Sequence, residues 1–73
     1  MELVEIVLNG SSSDVNNQLK NHLPNALCLG AISNRFADGS FEYQVLGRGG
    51  FPVIGWLHRP KDQAKDWFLK FYR

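Results

Sequence analysis

Pro60-Lys61-Asp62-Gln63-Ala64-Lys65-Asp66-Trp67-Phe68-Leu69-Lys70-Phe71-Tyr72-Arg73 is the stretch whose reading decides the fold of this chain. Taken at ~100° per residue it reads as an amphipathic helix, with Trp67, Phe68, Phe71 and Tyr72 fanned over roughly 140° of the wheel around Ala64. Leu69 lies just outside that fan and widens the apolar arc to roughly 200°. Pro60 is pre-organised for a first helical turn, and Asp66 with Lys70 stands at the i, i+4 spacing of a solvated helix face. The arc is wider than a helix on one sheet face normally buries. Its flanks are therefore expected either to lie under other parts of the chain or to offer a sticky edge to a partner.

Upstream of that stretch the pattern is mostly that of strands. Glu2 to Asn9 carries Val4, Ile6 and Leu8 on one face and Leu3 and Val7 on the other, which predicts a central strand or one covered on both faces. Asn9-Gly10 ends it. Ser11 to Ser13 then offer a helix N-cap, and Asp14 suits the positive end of a helix dipole. Val15, Leu19 and Leu23 make a thin apolar stripe, and Pro24 stops the helix. Ala26 to Phe36 reads as a second strand, bent at Gly30. Ala37-Asp38-Gly39-Ser40 is a hairpin turn, because Asp-Gly tolerates positive φ. Phe41, Tyr43 and Val45 alternate with Glu42 and Gln44 as a half-buried strand, Gly47 to Gly50 breaks the chain, and Phe51 to His58 forms a fourth strand. The expected fold is α+β: a single domain over residues 1–73 in the order β-α-β-β-β-α, with a mainly antiparallel sheet and two helices packed on one face.

With 73 residues the chain has to build its core from a few large side chains, and five Phe, two Trp and two Tyr supply them. The hydrophobic fraction of 44% and charged fraction of 21% are those of a folded protein rather than a disordered tail. A net charge of +1 gives no overall field toward nucleic acid or an anionic membrane. One cysteine allows no internal disulfide, which points to a reducing compartment. The longest apolar run, Ala26 to Ile32, is too short to span a bilayer, and Met1-Glu2 opens no secretory signal. The expectation is a cytoplasmic protein with no membrane partner.

Signals of chemistry are sparse. Cys28 lies between Leu27 and Leu29 in a strand and reads as a structural thiol, with nothing to bring His22 or His58 to it as a base. Neither paired Cys-x-x-Cys nor His-x-x-x-His spacing occurs, so no metal or other cofactor is expected. Asp14 and Asp38 are accounted for by a helix start and a turn. No nucleophile elbow or phosphate-binding Gly-Lys-Ser/Thr motif appears, and no enzymatic activity is expected.

Two resemblances bear on nucleic acid. Leu46-Gly47-Arg48-Gly49-Gly50-Phe51-Pro52-Val53 is similar to the GxxG signature of KH RNA-binding domains, a family that needs a helix on each side of the loop. From Ser13 onward the order α-β-β-β-α resembles the double-stranded RNA-binding domain, with Lys61, Ala64 and Lys65 where that family's lysine-rich helix start would fall and Asp62 in place of its second lysine. The resemblance implies shape-reading of an RNA minor groove through Arg48, Arg59, Lys61 and Lys65. The reading favoured is instead a small protein-binding module, a regulator or inhibitor that occupies a partner's surface, with Trp67, Leu69 and Tyr72 at the edge of the last helix and Trp56 and Arg59 as neighbours. Self-association through that surface or through a sheet edge is its close competitor.

Overall fold

The C-terminal stretch is a strand, not a helix. The computed structural model describes residues 1–73 and shows β1 (Leu3–Asn9), α1 (Ser12–His22), β2 (Ala26–Arg35), β3 (Phe41–Gly47), β4 (Val53–Arg59) and β5 (Asp66–Tyr72). From Asp66 to Tyr72 the burial alternates strictly: Trp67, Leu69 and Phe71 are buried, while Phe68 and Lys70 are partly covered and Asp66 and Tyr72 are exposed. Aromatic side chains fit a pleated surface better than a helix, and β1 offers a partner that matches β5 in unbroken register from Leu3↔Tyr72 to Asn9↔Asp66. Lys61 to Ala64 form a turn closed by the Ala64 N–H on the Lys61 carbonyl, with Gln63 at φ 61 in the left-handed region, so Pro60 starts a turn and no helix follows it. The expected two-helix α+β domain is thus replaced by a five-stranded, wholly antiparallel sheet with one short helix, in the strand order β1-β5-β4-β3-β2.

That order corrects a second expectation. β1 is an edge strand rather than a central one, and Leu3 and Val7 on its second face stay exposed at 53% and 52%. The C-terminal strand β5 is inserted between β1 and β4, and β4 is the central strand of the five.

The helix follows from local signals. Ser11 caps it in a reciprocal capping box with Asp14, and Val15 and Leu19 are buried on its apolar stripe. β1 and β2 are opposite edges of the sheet, yet α1 bonds to both. The Gln18 side-chain amide donates to the Asn9 carbonyl at 2.8 Å, and the Leu29 N–H donates to Asn16 Oδ1 at 2.7 Å. The sheet therefore curls so that both edges reach the helix, and one face, the inner one, closes over it. Leu8, Val15, Leu19, Ala26, Val45, Leu57, Trp67, Leu69 and Phe71 form that core. Gly55 lets β4 approach it closely: a Cβ there would lie 2.9 Å from the Lys70 carbonyl and 3.3 Å from Phe71 Cβ.

Trp67 is held on every side. Its indole N–H donates to the Gly10 carbonyl at 3.1 Å, Tyr43 packs on it at 5.4 Å between ring centroids, and the Arg59 guanidinium lies 4.3 Å over its ring. The β2–β3 hairpin turns as expected, with Gly39 at φ 89 and buried Ser40 bonded through N–H and hydroxyl to Asp38 Oδ1.

Trp67→Ala should remove about 3–5 kcal/mol, a large share of what so small a domain has, and a urea melt should show it largely unfolded. Two carboxyls add an acid dependence. The Ser11 backbone N–H and then its hydroxyl hold Asp14 below the usual 3.8, and the Ser40 hydroxyl and then its N–H do the same for Asp38. A carboxyl lowered by folding stabilises the fold above its unfolded value, and that contribution is lost as pH falls through the lower folded value. Asp38→Asn should therefore lower the melting temperature at neutral pH, and the difference from wild type should shrink as the pH is taken down below 3.8, as read by thermal denaturation over that range.

Candidate functional site

The inner face of the sheet is filled by α1, and the outer face has no layer over it. Antiparallel register sets its side chains in rows, because directly opposite residues share a face. One row runs Val7, Phe68, His58, Glu42 and Asn34 across all five strands. The next runs Glu5, Lys70, Trp56 and Gln44, and Leu3 stands opposite Tyr72 beyond it. The aromatic members touch. His58 lies between Phe36 and Phe68, with ring centroids 5.9 and 6.4 Å away, and Trp56 meets Tyr72 edge-on at 6.4 Å. Lys70 Nζ lies 3.9 Å from Glu5 Oε2, so the charges of the middle row cancel. The result is an apolar and aromatic surface with a polar margin at Glu42, Gln44 and Asn34.

The five residues expected to bind a partner are divided by the sheet. Trp56 and Tyr72 come together on the outer face, Trp56 partly buried and Tyr72 54% exposed. Trp67 and Leu69 are 0% exposed and belong to the core. Arg59 is turned inward over Trp67, its Nε donating to the Ala64 carbonyl at 3.0 Å. Phe68, His58, Phe36, Leu3 and Val7 complete the surface; a helical count keeps Phe68 inside the apolar arc and gives no reason to group the others with it. Reading Asp66 to Tyr72 at period two instead of 3.6 puts Phe68 and Tyr72 on one face, and that is the signal that finds them.

The four cationic residues are also divided. Arg48 sits in the loop after β3, whereas Arg59, Lys61 and Lys65 lie at the far end of β4 and in the loop beyond it. The length of β4, ~20 Å, separates the two groups. Strands flank the Gly47–Pro52 loop where the KH pattern needs helices, and β5 stands where the double-stranded RNA-binding domain needs its last helix, so neither resemblance extends to the fold.

Cys28 is a free, partly buried thiol opposite Leu46, His22 ends α1 on the helix side, and His58 is enclosed by phenyl rings. No three His, Cys, Asp or Glu side chains converge as metal ligands. No helix is long and apolar enough to cross a membrane. Compared with family models, curated proteins and solved structures, the chain matches none of them significantly.

The two tryptophans report the two faces. Trp67→Phe leaves Trp56 as the emitter and should give strong acrylamide quenching, while Trp56→Phe leaves Trp67 and should give weak quenching until the protein is unfolded in urea.

Proposed function

We propose that this chain is a small, non-enzymatic protein-binding module of the cytoplasm, which regulates or inhibits a larger protein by covering part of its surface with the outer face of the sheet. One observation carries the reading. The chain has a single helix and spends it on one sheet face, while the other face displays Trp56, Tyr72, Phe68, His58 and Phe36 in touching groups with Leu3 and Val7 beside them. Two aromatic groups on one uncovered face, rimmed by polar side chains, suit an interaction site, and large aromatics are frequent anchors at the centres of such sites. The expected partner surface is apolar and weakly charged, because Glu5 and Lys70 neutralise each other in the middle of the face. The unpaired thiol of Cys28 fits a reducing compartment.

The double variant Phe68→Ser with Tyr72→Ser should retain the native melting profile within a few degrees, since its side chains lie outside the core. Tagged wild-type protein and the variant are compared for what each retains from lysate, before and after nuclease. The expected result is a stoichiometric protein held by wild type through nuclease treatment and lost from the folded variant. Retention by both forms would remove the outer face from the account, and loss of all bound material to nuclease would replace a protein partner by nucleic acid.

A further inference from the structure

The hydrogen-bond pattern at β1 leaves a second surface free. Glu2 and Arg73 exchange both backbone bonds at 2.9 Å, and the Gly10 N–H donates to the Lys65 carbonyl at 2.8 Å. In an antiparallel ladder bonded and non-bonded pairs alternate, so Val4, Ile6 and Leu8 bond to β5 while the N–H and C=O groups of Leu3, Glu5 and Val7 point away from the sheet. Asn9 belongs to the same outward set, and Gln18 already occupies its carbonyl. The other edge is blunted: β2 carries three register shifts, and Asn16 takes the Leu29 N–H. β1 is regular along its length and holds no proline or lysine, the devices that commonly guard an edge.

We propose that β1 pairs antiparallel with β1 of a second copy of this chain, about a two-fold axis at Ile6. The strand's own pattern selects this partner and this register. An axis at Glu5 would set two carboxylates directly opposite each other, which is destabilising. Moving the axis one residue to Ile6 places Glu5 opposite Val7 of the second copy and still matches outward backbone groups, so the two Glu5–Val7 pairs exchange four hydrogen bonds. On the inner face the same register sets Ile6 against its own copy and Val4 against Leu8, so the apolar row from Leu69 to Ile6 continues across the axis into the second copy's Ile6 and Leu69. Val4 and Ile6, only partly buried although packed on the core, become covered. A two-fold perpendicular to the sheet leaves both outer faces on one side. Pairing and outer-face binding can therefore fail separately.

Sedimentation equilibrium of the wild-type chain should show a concentration-dependent dimer, and Val7→Pro, which removes an outward edge N–H and keeps an apolar side chain on the outer face, should weaken it about tenfold or more. The register is tested in a Cys28→Ser background. Non-bonded antiparallel pairs stand ~4.5 Å apart at Cα, within disulfide range, so Ile6→Cys should oxidise to a covalent dimer. Val4→Cys, whose copies stand apart in this register, should stay monomeric. A monomer mass for the wild type at all concentrations up to about millimolar would overturn the proposal. Trapping at Val4→Cys, or none at Ile6→Cys in a protein whose melt is native, would overturn the register it states.

Discussion

The pairing of β5 with β1 is the constraint on which the rest of the structure depends. It joins residues from the two ends of the chain, in unbroken register, and places Trp67 where Gly10, Tyr43 and Arg59 can close around it. Without β5 the sheet would lose both its link between β1 and β4 and the buried set Trp67, Leu69 and Phe71, which is a third of the nine-residue core. Such contacts are distant in sequence, so loop closure has to precede the burial that offsets it. The exposed ends of the ladder are tied as well: Asn9 bonds to Asp66, and Glu2 bonds to Arg73.

What could be read from sequence divides along the same line. Local signals sufficed for α1, where a Ser cap, an acidic first turn and a Val15–Leu19–Leu23 stripe agree with one another. They sufficed also for the Asp38-Gly39 turn and for β3, whose alternation of Phe41, Tyr43 and Val45 with Glu42 and Gln44 is unambiguous. The last stretch is different. Trp67, Phe68, Leu69, Phe71 and Tyr72 leave only Lys70 polar in six positions, so periods of 3.6 and 2 both find an apolar face. The choice is made by β1, some sixty residues away, which supplies a matching strand and overrides the helical reading.

The same choice determines which aromatics face outward. On a helix Trp67 and Tyr72 would mark the two margins of one apolar arc; on a strand they fall on opposite faces, one in the core and one in solvent. Tyr72 and Trp56 remain legible as surface anchors because they are large and amphipathic. Phe68 joins them only at period two, and His58 and Phe36 not at all, because their grouping is created by cross-strand register and by the β2–β3 turn rather than by spacing along the chain. A sheet with one helix must leave a face open, and this chain has set its remaining rings there.

The β1–β5 pairing is tested most directly by the nuclear magnetic resonance spectrum of residues 60–73. Extended-strand chemical shifts are expected over Asp66–Tyr72, with close Hα–Hα cross-peaks between Glu5 and Lys70 and between Val7 and Phe68, the non-bonded pairs of the ladder. Helical shifts with i, i+3 cross-peaks over the same residues would contradict it, and with it the open face and the free edge that β5 creates.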